Sequence, residues 1–334
     1  MAADRVAILG AGSTGCFIGG CWLATGLPVT FIGRERIAAE IAKTGLTISD
    51  FTGSQTSFSD VDFRTDPSAL AEADIIALCV KSGSTEDAIC DIATHARDGA
   101  LVISFQNGIR NFDVLERVLG DRFEVARGLV SYNVAYLSEG RFHKGVAGVL
   151  WAEDLPRTRI LSDHVGEGPA KLCLSSAMLS LAWGKLLINL NNAVNALSGR
   201  TLLEELKQRD YRRVVAASQR EGLALLDAVG VVPAKVGAVG PKLLPFIINS
   251  PDWLFRNLFL KKWKVDAKAR SSMADDLATG RITEVDYLNG ELVALAESLG
   301  RAAPINRKIV ELVRAAEAGA EPLAPADLRR VVLG

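Results

Sequence analysis

Six residues near the start of the chain, Gly10-Ala11-Gly12-Ser13-Thr14-Gly15, have the G-x-G-x-x-G spacing of a phosphate-binding turn. The apolar residues 5–9 before them predict a buried strand, and residues 16–25 after them predict a helix. In such a unit the first glycine makes the turn, the second lets a pyrophosphate approach the backbone, and the third lets the helix pack against the strand. The helix N-terminus also attracts phosphate. The sequence therefore predicts a dinucleotide site formed by these six residues.

The second predicted strand, residues 29–32, leads into Gly33, Arg34 and Glu35. An acidic side chain at this place would bind the ribose 2′-hydroxyl of NAD, whereas an arginine can donate two hydrogen bonds to the 2′-phosphate of NADP. Arg34 therefore favours NADP. Glu35 offers the acidic alternative, and a charged turn that faces solvent is a third interpretation.

Two further predicted strands, residues 73–80 and 100–105, lead into the polar turns Lys81-Ser82-Gly83 and Gln106-Asn107-Gly108. Ligands of open α/β sheets bind at the carboxyl ends of strands. Lys81 can reach a ribose or a phosphate there, and the Asn107 amide can donate to and accept from a nicotinamide or a substrate. Asn-Gly also favours ordinary tight turns, so this pair by itself does not establish a ligand site.

A lysine and several amides interrupt the long apolar segment that begins at residue 177. Lys185 and Asn189 are four residues apart and share one face of the predicted helix, and Asn191, Asn192 and Asn195 follow. Because buried polar groups need partners, these side chains either bind a ligand or pair between helices, with the lysine extending to solvent. Two later motifs, residues 269–273 (ARSSM) and 280–290 (GRITEVDYLNG), allow helix caps and surface charges as their plain interpretation.

Strands and helices alternate through the first half of the chain, which predicts an α/β fold with a doubly wound parallel sheet of the Rossmann type. Residues 46–63 alternate in polarity and predict an antiparallel excursion, and residues 125–134 and 140–151 predict strands that complete the sheet. From about residue 172 helical periodicity dominates, after a breaker cluster of Gly166, Gly168 and Pro169, and one of the predicted helices covers residues 282–299. We therefore predict a NADP-binding Rossmann domain over residues 1–171 and a helical substrate and catalytic domain over residues 172–334.

Composition narrows the class of protein. The 334 residues carry 38 basic and 39 acidic side chains, so no charge excess points to nucleic acid or to an anionic membrane. Residues 6–32 are uncharged, but their glycines and changing period predict strand, helix and strand instead of a membrane span. The five cysteines are scattered without metal-ligand spacing, which favours a cytoplasmic protein without structural zinc.

In this order the motifs resemble those of the ketopantoate reductase (2-dehydropantoate 2-reductase) family, from residue 5 to about residue 315. The S-S-M and T-E-V-D-Y-L-N-G segments at this spacing are specific to the family, whereas the glycine loop is not. The resemblance implies that Lys185 is the general acid and that Glu284 lies where cofactor and substrate join. It implies NADPH contacts from residues 10–15, Arg34, Lys81 and Asn107, and substrate contacts from Asn107, Asn189, Ser272 and either Asn192 or Asn191.

The activity implied by this resemblance is the NADPH-dependent reduction of 2-dehydropantoate to pantoate. Burial would lower the pKa of the Lys185 ammonium towards neutral pH, while Glu284 would oppose that shift. Ala269 stands where family members often carry an asparagine, and residues 241–266 look enlarged. Another branched 2-oxo acid or an opine-type dehydrogenation therefore stays open. A non-catalytic NADP(H)-binding regulator is the alternative outside enzymes, and the apolar helical domain is compatible with a homodimer.

Overall fold

Two compact units make up the chain, Met1–Met178 and Leu179–Gly334. The computed structural model describes residues 4–263 and 265–334. The first unit extends past the predicted boundary at residue 171, because Leu172–Ser175 is still a strand whose Leu172 pairs with Leu150. The breaker cluster at Gly166 thus ends a helix inside the first unit and does not mark its end.

The first unit is built from short strands. They are β1 (Val6–Leu9), β2 (Val29–Ile32), β3 (Leu46–Asp50), β4 (Gln55–Phe58), β5 (Asp62–Arg64), β6 (Ile75–Leu78), β7 (Leu101–Ser104), β8 (Glu124–Val130), β9 (Val134–Tyr136), β10 (Arg141–Lys144), β11 (Leu150–Glu153) and β12 (Leu172–Ser175). Eight of them form a sheet in the order β12-β11-β8-β7-β6-β1-β2-β5. All neighbours in it are parallel except β8 and β11.

Helices cover both faces of this sheet. They are α1 (Ser13–Leu23), α2 (Glu35–Thr44), α3 (Thr85–His95), α4 (Arg110–Leu119) and α5 (Pro156–Val165), with 3-10 turns at Pro67–Glu72 and Ser82–Ser84. Val6 and Ile8 of β1 join one core, and Ala7 and Leu9 join a second core on the opposite face. Because both faces are covered, the central strands are continuously apolar. The predicted α/β fold with a Rossmann-type sheet is confirmed.

A second sheet of four strands, in the order β4-β3-β10-β9, packs on α1. The predicted antiparallel excursion is present as β3 and β4, whereas β5 returns to the main sheet beside β2. Of the predicted strands over residues 125–134 and 140–151, the first contains β8 of the main sheet, whereas the second contains β10, which belongs to the second sheet, before it reaches β11. Gly20 of α1 lets Ile48 pack closely, since a Cβ at this glycine would lie 2.7 Å from Ile48 Cγ2. That close packing fixes β3, and β10 pairs with it.

The second unit consists of helices and loops over its described residues. The helices are α6 (Met178–Asn189), α7 (Asn191–Ser198), α8 (Leu202–Leu206), α9 (Arg209–Ala228), α10 (Leu244–Ile248), α11 (Asp252–Leu254), α12 (Lys261–Trp263), α13 (Ser272–Ala278), α14 (Asn289–Ser298), α15 (Pro304–Glu317) and α16 (Pro325–Leu333). The long helix α9 is central to the unit, and its Tyr211, Val214 and Val215 are fully buried. Across residues 4–263 and 265–334, none of the helices combines the length and apolar character that a bilayer span requires.

The described residues of segment 241–266 form short helices, with a π-helical stretch at Phe255–Leu260, and one buried arginine fixes the segment to α9. Arg212 donates hydrogen bonds to the carbonyl oxygens of Ile248 (2.6 Å) and Ser250 (2.9 Å). Its guanidinium also pairs with Asp252 and lies 4.1 Å from the centre of the Phe255 ring. The segment that looks enlarged in sequence is therefore packed against α9 as part of the helical unit.

Candidate functional site

The three glycines of the first loop each meet a different steric demand. Gly10 has a φ of 97°, and a Cβ there would lie 2.5 Å from the Val80 nitrogen. At Gly15 a Cβ would lie 2.5 Å from the Gly10 carbonyl oxygen, so this glycine lets α1 approach β1. No atom lies within 4 Å of the Cβ position of Gly12. This opening above the backbone fits a pyrophosphate, as the spacing predicts.

Helix α1 begins directly after this opening, with Gly12 as its N-cap. Since glycine has no side chain, no side-chain oxygen caps the helix, and its first turn holds no acidic residue. Ser13 and Thr14 are half-buried in that turn, while the Ala11 amide donates to the Ile32 carbonyl and holds the loop against β2. The N–H groups of the first turn therefore present a positive end suited to phosphate.

Arg34 lies beside the loop, at the N-cap of α2, and is exposed. A Cβ at Gly33 would lie 3.0 Å from the Ala11 Cβ, which shows how closely the end of β2 approaches the glycine loop. Glu35 is the first residue of α2 and is also exposed. The structure thus brings both candidates for the ribose end of the cofactor next to the loop.

Lys81 and Asn107 lie at the ends of the neighbouring strands β6 and β7. The Ser82 hydroxyl donates to the Asn107 carbonyl oxygen at 3.2 Å, and Asn111 donates to the same oxygen at 2.8 Å. Gln106 donates to the Val80 carbonyl (3.3 Å) and to the Thr85 hydroxyl (2.8 Å). The two turns are therefore tied together by side chains whose role the sequence did not reveal. With the glycine loop and Arg34, they form a row at the carboxyl ends of β7, β6, β1 and β2.

Lys185 lies in α6, half-buried, one turn before Asn189. Burial lowers the pKa of its ammonium group to about 8, and the negative charge of Glu284 opposes that shift. Both directions agree with the sequence-based expectation. Gly184 gives α6 its close packing, because a Cβ there would lie 2.0 Å from the Ala234 carbonyl oxygen. The structure thus brings Lys185 into electrostatic range of a carboxylate distant in sequence.

The amides that follow Lys185 have separate partners. Asn191 donates to the Glu205 carboxyl group at 3.1 Å. Asn195, fully buried, donates to the Arg200 carbonyl at 3.1 Å and accepts from the Ser271 amide at 2.9 Å. Burial raises the pKa of Glu205 to about 8, against hydrogen bonds from Asn191 and Asn195 and the charge of Arg212. Glu205 is therefore a largely protonated acid at neutral pH, which sequence reasoning missed.

The two serines of the S-S-M motif differ in their surroundings. Ser271 is buried and caps α13, since its hydroxyl accepts from the Ala274 amide at 3.1 Å and donates to the Asn192 carbonyl at 3.1 Å. Ser272 is the first residue of α13 and is exposed. Ser271 thus joins the start of α13 to α7, so the segments carrying Asn192 and Ser272 are held together.

Glu284 lies in a loop, although the sequence predicts a helix from residue 282. The loop is held by side chains: Arg281 pairs with Asp276 at 3.4 Å, and the Thr283 amide donates to Glu317 at 2.8 Å. Glu284 is half-buried and precedes a 3-10 turn at Val285–Tyr287. The loop, rather than a helix face, therefore orients this carboxylate.

Another residue of the motif that contains Glu284 anchors the loop at its C-terminal end. Asn289 is fully buried and donates to the Asn306 side-chain oxygen at 2.9 Å, which also accepts from the Ser218 hydroxyl at 2.7 Å. This network joins α9, α14 and α15. Over residues 4–263 and 265–334, no group of three or more histidine, cysteine, aspartate or glutamate side chains could hold a metal ion.

Comparison with known proteins agrees with this geometry. The sequence model described as ketopantoate reductase PanE/ApbA matches residues 6–157, and its C-terminal counterpart matches residues 177–317. A 2-dehydropantoate 2-reductase of Halobacterium salinarum is 28% identical over 321 residues, which cover 94% of this chain and 99% of that protein. Together with the Rossmann-type sheet and its glycine loop, these matches place the chain among the nicotinamide-dependent oxidoreductases. The chain belongs to the ketopantoate reductase family.

Two solved structures resemble the fold. A PanE/ApbA family ketopantoate reductase from Ralstonia eutropha has a TM-score of 0.80 at 28% identity and covers 94% of this chain and 98% of its own. A ketopantoate reductase from Staphylococcus aureus, described as dimeric, has a TM-score of 0.73 at 19% identity, with 94% and 99% covered. The second likeness concerns the fold alone.

Proposed function

We propose that this enzyme reduces 2-dehydropantoate to pantoate with NADPH. The observation that carries the proposal is Lys185, a half-buried lysine whose pKa burial lowers to about 8 and whose charge is balanced by Glu284. A general acid works best when its pKa lies near the working pH. Family membership supports the substrate, since the matched relatives are 2-dehydropantoate 2-reductases.

In this proposal Lys185 performs the acid step. When bound, NADPH supplies a hydride to carbon 2 of the 2-oxo acid. The Lys185 ammonium donates a hydrogen bond to the keto oxygen, stabilises the negative charge that forms there and transfers its proton to give the hydroxyl. Glu284 keeps enough of the lysine protonated at neutral pH for this role.

We assign substrate binding to Asn189, Asn192, Ser272 and Asn107. The hydrogen bond from Asn191 to Glu205 supports Asn192 over Asn191, because the Asn191 amide is engaged within the helical unit. Exposed Ser272 at the start of α13 offers a hydroxyl, while its neighbour Ser271 serves the fold.

For the cofactor, we propose NADP over NAD. Support comes from Arg34, which is exposed at the N-cap of α2 beside the glycine loop. Residues 10–15 would hold the pyrophosphate, and Lys81 and Asn107 would contact the rest of the dinucleotide from the ends of β6 and β7.

The direct test is NADPH oxidation over a panel of 2-oxo acids that includes 2-dehydropantoate, at pH 7. We expect 2-dehydropantoate to have the highest kcat/KM, and Lys185→Ala to serve as the matched inactive control. Tight NADPH binding without turnover of any 2-oxo acid would instead indicate a regulator. A preference for another 2-oxo acid would contradict the proposed substrate and leave the chemistry intact.

One observation favours such a different 2-oxo acid as the second candidate. Ala269 offers no side-chain amide, and its backbone carbonyl accepts from the Leu202 amide at 2.8 Å, which fixes the segment just before Ser271. If this position lacks a contact to 2-dehydropantoate, Ala269→Asn should lower KM for that substrate. No change in KM after the substitution would remove the argument for this candidate.

We also propose that the enzyme forms a homodimer through the segment that Arg212 anchors. Leu243, Phe246, Trp253 and Leu258 of this segment are more than half exposed, and Trp253 reaches 70%. Several large exposed apolar side chains within one segment are typical of association surfaces. Sedimentation should show a dimer in the wild type and a monomer for Trp253→Glu. A monomeric wild type at micromolar concentration would contradict this assignment.

We propose that the protein is located in the cytoplasm. All five cysteines are free thiols, and Cys16 and Cys21 are buried within α1. Burial raises the pKa of Cys21 to about 12, so its reactive thiolate form is scarce. Reduced thiols of this kind are typical of a reducing compartment.

A further inference from the structure

A second arginine, Arg64, ends the edge strand β5 directly beside the turn that carries Arg34. Strands β2 and β5 are parallel, with Ile32 opposite Arg64. The Gly33 amide donates to the Arg64 carbonyl oxygen at 3.0 Å. Since paired strands lie about 4.8 Å apart, the backbones at Arg64 and Gly33 are close neighbours at the carboxyl edge of the sheet.

The side chain of Arg64 points to a defined face of the sheet. Phe63 stacks on Phe31 with ring centres 6.0 Å apart and planes within 7°. Because side chains alternate along a strand, Arg64 lies on the opposite face, together with Ile32. Arg34 follows Ile32 by two residues in an extended conformation, with φ −76° and ψ 144°. Two long cationic side chains therefore start from adjacent strand ends and can reach one anion.

Asp62 holds the guanidinium of Arg64 by one edge. The Thr30 hydroxyl donates to Asp62 Oδ2 at 2.8 Å, and Arg64 Nε donates to Asp62 Oδ1 at 2.5 Å. Arg64 is 61% exposed, so its terminal nitrogens are accessible beyond the edge that Asp62 contacts. A guanidinium fixed in this way loses less side-chain entropy when it binds an anion.

We propose that Arg64 is a second arginine for the 2′-phosphate of NADP, acting with Arg34. This inference rests on the proposed preference for NADP. A phosphate monoester offers three oxygens and close to two negative charges, which suit two guanidinium groups. The nearer arginine in sequence, Arg36, lies in the first turn of α2, and its guanidinium is directed to the second sheet, 5.4 Å from the centre of the Tyr136 ring of β9.

The test compares two adenosine fragments, 2′,5′-ADP and 5′-AMP, which differ in the 2′-phosphate. Their affinities are measured by calorimetry on the full chain for wild type, Arg34→Ala, Arg64→Ala and Arg5→Ala. Arg5 is a matched control, because it is exposed, pairs with Glu72 and directly precedes β1, at the amino ends of the strands and away from the proposed site. Arg64→Ala should weaken 2′,5′-ADP about five- to tenfold, an effect between an exposed ion pair and a charged hydrogen bond. The affinity for 5′-AMP should stay within about twofold.

The outcomes separate the inference from the proposed function. If wild type binds both fragments equally, the NADP preference itself fails. If wild type prefers 2′,5′-ADP and Arg34→Ala loses that preference, but Arg64→Ala behaves like Arg5→Ala, only the role of Arg64 is overturned. A selective loss of 2′,5′-ADP affinity in both Arg34→Ala and Arg64→Ala supports the pair.

Discussion

The glycine loop and the Lys185 region differ in the groups that form their binding surfaces. In the loop, backbone geometry provides the binding surface, and three glycines within six residues provide the space. Around Lys185, side chains from α6, α7, α13 and the 281–284 loop are held by long-range hydrogen bonds and by one buried acid. The loop therefore depends on local conformation, whereas the lysine region depends on how separate helices are joined. Substitutions in the two regions should therefore impair different properties of the protein.

The largest expected effect is on turnover, in the lysine region. Lys185→Ala should lower kcat by about 10²–10⁴-fold, the usual contribution of a general acid. This variant should keep its affinity for NADPH, because the residues proposed to bind the pyrophosphate belong to the glycine loop. Lys185→Arg should not restore turnover, since arginine keeps its proton near neutral pH. Steady-state kinetics and an NADPH titration of both variants test this expectation. If Lys185→Ala keeps most of its kcat, Lys185 is not the general acid.

Two alanine substitutions in the glycine loop should separate folding from binding. Gly10→Ala puts a Cβ against the Val80 backbone at a positive φ, so it should destabilise the fold by about 2–4 kcal/mol. Gly12→Ala meets no atom of the protein and should leave the unfolding midpoint nearly unchanged. It should still weaken NADPH binding, because its methyl group would occupy the space assigned to the pyrophosphate. Urea unfolding and cofactor titration measure both, and equal effects of the two substitutions on stability would contradict this division.

A smaller effect concerns the buried acid behind the amides. The carboxyl group of Glu205 has a pKa of about 8 in the folded chain, above its ordinary value of 4.5. Between these values the folded state keeps a proton that the unfolded state has lost, so stability falls as pH rises from about 4.5 to 8. Glu205→Gln removes this pH dependence, so its stability relative to that of wild type should rise by about 4 kcal/mol between pH 5 and pH 8.5.

Urea unfolding at the two pH values tests this, with Glu297→Gln as the control. Glu297 is an exposed glutamate paired with Arg307, so its substitution should leave the pH dependence unchanged. If the stability of wild type and Glu205→Gln changes in parallel between pH 5 and 8.5, Glu205 does not titrate as described.

The same contrast explains what the sequence could predict. The glycine loop, the individual strands of the parallel sheet and the pair Lys185–Asn189 each have a signature in residues close in sequence, and the periodicity of strand and helix reveals them. The second sheet depends on pairing between β3 and β10, which are far apart in sequence and have no mutual signature. Ser271 and Ser272 are adjacent in sequence, yet long-range hydrogen bonds with Asn195 and Asn192 hold the buried Ser271, while Ser272 is exposed.

The misplaced helix at residue 282 has the same origin. Its apolar pattern favours a helix, but contacts from Asp276 and Glu317 hold residues 281–283 in a loop, and α14 begins only at Asn289. Tertiary hydrogen bonds here outweigh a local preference of a few tenths of a kcal/mol per residue. The position of Glu284, and hence its effect on Lys185, could not be read from local pattern.

The central claim is that Lys185 is an acid whose proton is held at working pH by Glu284. The most direct measurement is the pH dependence of kcat between pH 6 and 10, for wild type and Glu284→Gln at saturating substrate. In wild type kcat should fall with an apparent pKa of about 8, as the ammonium loses its proton. Because the Glu284 charge raises the Lys185 pKa, the fall should move to lower pH in Glu284→Gln. A kcat that stays flat to pH 10, or a fall that moves to higher pH in Glu284→Gln, would contradict the account.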